Sequence, residues 1–292
     1  MIKILYNNYL IDFGNTITAL SGSASLTNLT DLDRSTAWQS QSSSDAITEL
    51  IEIEFDDAQD LDRLMLIEMN FKDFHVWYWD EAAWADFTNV YTNIDSAVSD
   101  YTYEGAGVTY GGAGVVYGTG ITGIVDSDNS LSTRYFEFDS VNTTKIRIEC
   151  TYTITANDEK ELNELYLGEE IGTFVQDLTS KPCKYRPVRS DTRSTYRTKS
   201  NGGTIKYERG DKYRTKISVK ELLNSADQTI YYAMFDQGQF AILPCGGVPY
   251  TERGWRLQDF YHVVIKGDET AEFAIGRVSD LGINDEFELL EQ

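Results

Sequence analysis

The sequence is poor in the residues that staple, bend or catalyse. Its three cysteines, Cys150, Cys183 and Cys245, are odd in number and far apart. That excludes a fully paired disulfide framework and gives no zinc-site spacing, so reduced thiols are expected. Two histidines, His75 and His262, leave little for imidazole chemistry, and both read as packing or surface residues. There is no G-x-S-x-G elbow, no P-loop and no H-E-x-x-H, the patterns that carry hydrolase, nucleotide and metalloprotease chemistry. Carboxylates are so numerous that no single pair stands out as an acid–base couple. A protein without enzymatic activity is expected. No apolar run approaches the ~20 residues that cross a bilayer. The opening Met1-Ile2-Lys3-Ile4-Leu5-Tyr6-Asn7-Asn8 lacks the positive flank and apolar stretch of a secretion signal. Synthesis in a cytoplasm, without signal-peptide secretion or membrane insertion, is expected.

Basic residues are scarce too, but only in one half. Residues 1–172 hold 30 acidic against 8 basic side chains, a net of −22, whereas 173–292 hold 17 of each. Within the second half, 181–220 hold 13 basic and 3 acidic side chains, a net of +10. Blocks of opposite sign in one chain point to separate surfaces with separate partners.

What the chain has in quantity is aromatic: 19 Tyr, 13 Phe and 5 Trp in 292 residues, a composition that favours strands. Ile51, Ile53 and Phe55 alternate with Glu52 and Glu54. Lys145 to Cys150 and Thr215 to Val219 alternate likewise. One helix is predicted from Asn224 to Phe235, capped by Ser225, with Ala226, Ile230, Ala233 and Met234 at helical spacing; a short helical turn is predicted near Glu159 to Leu165. The stretch 105–123, GAGVTYGGAGVVYGTGITG, carries too much glycine for a strand interior and reads as part of a Gly/Tyr-rich insertion over 101–133. The length suits two domains of ~100–200 residues. Gly168, Gly172, Pro182 and Pro187 place the boundary near 170–182, giving domains 1–172 and 173–292, with a basic arm at 181–220. The expected fold is mainly β: an antiparallel jelly-roll β-sandwich, then a small β-barrel or sandwich with one packed helix.

Three segments resemble the discoidin, or factor 5/8 type C, family. The first is Asn28-Leu29-Thr30-Asp31-Leu32-Asp33-Arg34-Ser35-Thr36-Ala37-Trp38. The second is Ile51 to Phe55, then Asn70-Phe71-Lys72-Asp73-Phe74 and Trp84. The third is Tyr135-Phe136-Glu137-Phe138, Lys145-Ile146-Arg147-Ile148 and Glu161 to Gly168, similar to the family's last strand. The resemblance covers about half of the chain. It implies a two-sheet jelly roll anchored by Trp38 and a non-enzymatic role in binding glycans, lipid head groups or proteins. It also implies a structural calcium held by Asp31, Asp33, Thr36 and Glu164. Calcium is the one cofactor implied. Leu32 stands where the family has glycine, and a side chain resists the left-handed backbone, so a reshaped, metal-free loop is the alternative.

In the run Phe74-His75-Val76-Trp77-Tyr78-Trp79, the resemblance turns Phe74, Val76 and Tyr78 inward and His75, Trp77 and Trp79 outward. Three exposed rings are costly in water: either they form a glycan-stacking or partner-binding face, or the Gly/Tyr-rich insertion or second domain covers them. Trp84 reads as structural.

The second half runs strand pair, helix, strand, further strands (204–208, 213–219, 224–235, 238–244, 260–265, 272–277). That order resembles the oligomerisation domain of phage distal tail and baseplate proteins. The implied partners are further copies of the chain in a hexameric ring and other tail proteins, and the implied location is the virion tail, after synthesis in the bacterial cytoplasm. Arg186, Arg189, Arg193, Arg197 and Lys199 are then a docking arm for acidic neighbours, favoured over a nucleic-acid role. The leading expectation is a structural component of a phage tail tip or baseplate, with the jelly roll exposed as a docking or receptor-contact module and a host-surface glycan as a further implied partner. The alternative is a glycan-binding adhesin or carbohydrate-binding accessory module.

Overall fold

The computed structural model describes residues 3–33, 35–92, 122–174, 188–189, 193–198, 204–209, 213–222, 225–243, 261–265 and 283–291. The protein is mainly β. In chain order its strands are β1 (Lys3–Tyr6), β2 (Asn15–Ala19), β3 (Trp38–Gln39), β4 (Glu49–Met69), β5 (Phe74–Trp79), β6 (Trp84–Ala85), β7 (Tyr91–Thr92), β8 (Ile124–Asp126), β9 (Arg134–Cys150), β10 (Glu161–Gly168), β11 (Glu170–Thr173), β12 (Val188–Arg189), β13 (Arg193–Thr198), β14 (Thr204–Arg209), β15 (Tyr213–Leu222), β16 (Gln239–Leu243), β17 (Tyr261–Ile265) and β18 (Ile283–Glu291). Helix α1 spans Tyr9–Asp12, helix α2 spans Ser225–Gln237, and a 3-10 stretch covers Ser23–Leu29. Among the described residues the named strands pair in antiparallel fashion.

The unit spanning Asn8–Glu169 is organised by its two long strands, β4 and β9. Their pairing is regular from Glu49↔Cys150 to Glu54↔Lys145, shifts, and resumes from Gln59↔Thr143 to Leu66↔Arg134 with a second shift after Leu61. The break bends both strands, so each contributes to two layers. The first layer sets β2 against Ile51–Phe55 of β4, and the end of β9 against β5, which β6 and β8 extend. The second sets β3 on β10, β10 on Arg63–Met69, and β7 on the start of β9. The layers face each other through apolar residues. Phe74 of β5 meets Phe136 of β9 edge-on at 6.3 Å, and Phe87 lies between Tyr78 and Phe138 at 5.1 and 4.3 Å. Ile51, Ile53, Ile146, Ile148 and Val76 are fully buried in the first layer, as their alternation predicts. This is the expected jelly-roll sandwich.

In the second unit, β11-β1-β16-β17-β18-β15-β12 form one sheet and β13 pairs with β14. Among the described residues the seven-stranded path does not close into a barrel. Helix α2 buries Asp227, Ile230, Tyr231 and Met234, a stripe at helical spacing. A Cβ on Gly172 would lie 2.5 Å from Ile230 Cγ1, so glycine is what lets α2 rest on β11.

The structure departs from the sequence expectations in several places. The boundary expected between 172 and 173 falls inside β11, which pairs with β1. Compact division groups the described residues of Met1–Asn7 with those of Glu170–Gly246 and Asp259–Gln292. The turn expected near Glu159 to Leu165 is strand β10, because pairing with β4 outweighs local helix propensity. Helix α2 buries Tyr231 rather than Ala226, which is exposed. The insertion expected over 101–133 joins the sheet through β8, and Ile124 pairs with Val76. Residues 93–121, 272–277 and Asn224 lie outside the described residues, and Ser225, expected as the cap, is the first residue of α2.

Candidate ligand-binding face

Strand β5 positions the site. Phe74 and Val76 are buried, whereas His75, Trp77 and Trp79 are half-exposed on the opposite face. Residues directly opposite across a sheet share a face, so the register assembles the neighbourhood. Trp77 lies opposite Arg147, Arg147 opposite Glu52, and Glu52 opposite Thr18. His75 lies opposite Glu149 on one side and Val125 on the other.

The rings are held in place by contacts of their own. His75 stacks on Trp77 with centroids 3.7 Å apart and planes 27° apart. Its Nε2 lies 2.6 Å from Asp86 Oδ1. Trp84 of β6 meets Trp79 edge-on at 5.5 Å, and the Arg147 guanidinium sits 4.1 Å from the Trp84 centroid. Arg147 Nε donates to Glu52 Oε1 at 2.7 Å, and its Nη2 donates to the same oxygen. Lys145 Nζ lies 2.8 Å from Glu54 Oε1. Each exposed ion pair is worth only ~0–1 kcal/mol, and the cation over a part-exposed ring ~0.5–1 kcal/mol. Their structural effect is to fix the rings and leave an apolar strip bordered by polar groups. Such a surface suits a ligand with a flat C–H face and a rim of hydroxyls.

The face contains the expected His75, Trp77 and Trp79, joined by Trp84, Arg147, Glu52, Asp86 and Glu149. Alternation in 145–150 already places Arg147 and Glu149 in the outward phase, but only the register shows that they meet β5. Asp86 has no such sequence signal.

Of the expected calcium residues, Asp31, Asp33 and Thr36 are joined by hydrogen bonds within the loop. Thr36 Oγ1 donates to Asp31 Oδ2 at 2.7 Å, and the Asp33 backbone N–H donates to Asp31 Oδ1 at 2.9 Å. Asp33 Oδ1 accepts from the side chain and backbone of Ser35 at 2.6 and 2.9 Å, and these bonds hold its carboxyl below the usual range. Leu32 takes φ 59°, so the left-handed turn forms in spite of its side chain. Glu164 is buried in β10 opposite Ile67. Among the described residues no three His, Cys, Asp or Glu side chains are disposed to hold a metal ion.

Of the docking arm, Arg189 lies in β12 opposite Tyr213, and Arg193 and Arg197 lie in β13 opposite Arg209 and Ile205. Arg186 and Lys199 fall outside the described residues. Cys150 is a buried free thiol, and burial pushes it well above its ordinary pKa. Among the described residues no helix is long and apolar enough to cross a membrane.

No protein-family profile matches the chain, and no curated protein matches it. Solved structures similar to it include chitosan-binding module 1 from a chitosanase/glucanase of Paenibacillus sp. IK-5, at 14% identity over 56% of this chain and 98% of that one, TM-score 0.36. Another is the Clostridium perfringens module CpGH89CBM32-5 in complex with GalNAc-β-1,3-galactose, at 9% identity over 53% of this chain and 94% of that one, TM-score 0.34. A third is a Ruminococcus gnavus fucosidase, at 12% identity over 56% of this chain and 27% of that one, TM-score 0.37.

Proposed function

We propose that the 8–169 unit is a non-catalytic carbohydrate-binding module that holds a saccharide on the β5 face. The observation that carries this reading is the row of half-exposed rings, His75, Trp77 and Trp79 with Trp84, set among fixed hydrogen-bonding groups. A pyranose lays its C–H face on an indole and turns its hydroxyls to the rim. Isothermal titration against a panel of neutral, anionic and amino-bearing oligosaccharides should find at least one binder. Trp77→Ala and Trp79→Ala should each weaken it at least ~tenfold, the loss typical of a central aromatic anchor, with unchanged circular dichroism. A panel without a binder, or a binder indifferent to both substitutions, overturns the proposal.

A second reading concerns the other unit. The order β14, β15, α2, β16, β17 is the order on which the tail-ring resemblance rests. It supports a homo-oligomer whose basic arm docks on acidic neighbours. Sedimentation of the purified chain should then show a closed multimer that Arg189→Glu, Arg193→Glu and Arg197→Glu together disperse. A mass that stays monomeric at low salt, where charge attraction is least screened, removes this reading.

A further inference from the structure

The charges on the β5 face narrow the ligand. Glu52, Glu54, Asp86 and Glu149 are the carboxylates; Arg147 and Lys145 are the permanent cations. Arg147 is paired with Glu52, Lys145 with Glu54, and Asp86 with the His75 ring. Glu149 is left over. It is half-buried beside the His75–Trp77 stack, and its carboxylate has no hydrogen bond or ion pair among the described residues. The surrounding unit, 8–169, has 29 acidic against 7 basic side chains, so the long-range field has the same sign.

We infer that this face takes oligosaccharides bearing free ammonium groups, amino sugars, with Glu149 receiving the ammonium; the inference rests on the saccharide reading above. The physical reason is the cost of covering Glu149. A ligand laid across His75 and Trp77 strips water from that carboxylate, and a buried charge without a partner is expensive. An anionic sugar adds like-charge repulsion. A neutral sugar offers hydroxyl donors but leaves the excess negative charge in place. An ammonium supplies both a charge-assisted hydrogen bond and the missing positive charge, while the neighbouring indoles favour a cation near their faces.

The test compares the glucosamine tetramer with the N-acetylglucosamine tetramer by titration, below the pH at which the sugar amine loses its proton. The glucosamine tetramer should bind more tightly. Glu149→Gln keeps the shape and can still accept from hydroxyls, so it should weaken the glucosamine tetramer about tenfold and leave other saccharides unaffected. Equal or tighter binding of the acetylated tetramer, or a Glu149→Gln protein with unchanged affinity for the amine form, overturns the inference. So does a panel in which only neutral or anionic sugars bind, although that result leaves the saccharide face standing if binding still needs Trp77 and Trp79. A panel with no binder at all overturns both.

Discussion

Trp38→Ala is expected to destabilise the 8–169 unit by about 3–5 kcal/mol, the range for emptying a buried aromatic site. A domain is typically stable by only ~5–15 kcal/mol. Trp38 is fully buried, meets Phe71 edge-on at 6.4 Å, and donates from its indole nitrogen to the Ser21 carbonyl at 3.3 Å. Its backbone pairs with Leu162. The site has little room to collapse. Gly22, with φ 68°, brings its backbone so close that a Cβ there would stand 1.9 Å from the Gln39 carbonyl oxygen and 3.0 Å from the indole nitrogen. Urea denaturation followed by circular dichroism measures the loss; a cost below ~1 kcal/mol, within the reach of ordinary surface changes, would show that the ring is not the anchor.

The second large effect concerns a buried charge. Arg134 lies in β9, almost fully buried between the rings of Phe74 and Phe136, with its guanidinium 5.9 and 5.3 Å from their centroids. It pairs with Asp126 and donates to Asn129 Oδ1 at 3.0 Å. Arg134→Met fills the same space but leaves Asp126 as an unpaired charge. Breaking a buried pair on one side costs ~3–5 kcal/mol. Asp126 keeps some contact with water, so the lower end is expected. Arg134→Met with Asp126→Asn should recover much of this loss, because no charge is then stranded and the amide oxygen can still accept from the Asp128 backbone N–H. If the double variant is no more stable than the single one, the loss comes from packing against the rings and not from the charge.

Local pattern made part of this legible. Ile51, Ile53, Phe55, Ile146 and Ile148 alternate with polar residues because the first layer has one face toward the core and one toward water. The second layer gave no such signal. Leu64, Met65, Leu66 and Ile67 are consecutive and all buried, so both strand faces are covered and period two disappears. The phase of His75, Trp77 and Trp79 could be read, but its partners could not. Glu149 and Arg147 reach β5 only through a pairing between strands about seventy residues apart, and register over that distance is set by the whole sheet. Leu32 shows the opposite failure: a rule about single residues was overridden by a turn that Asp31, Asp33 and Thr36 hold together.

Strand β1 precedes the 8–169 sandwich in the chain, and both of its sheet neighbours follow that sandwich. Its neighbours are β11, with Leu5 opposite Glu170, and β16, with Tyr6 opposite Phe240. The strands of the 8–169 sandwich leave the ribosome after β1 and before either neighbour is complete. The second unit is therefore completed by non-local pairing, with a long stretch of chain looped out between β1 and its two neighbours. Its first residues carry Lys3, whose ammonium later meets Glu170 at 3.5 Å. The nascent chain thus holds one strand in reserve, and only the emergence of residues 239–243 lets it be enclosed on both sides.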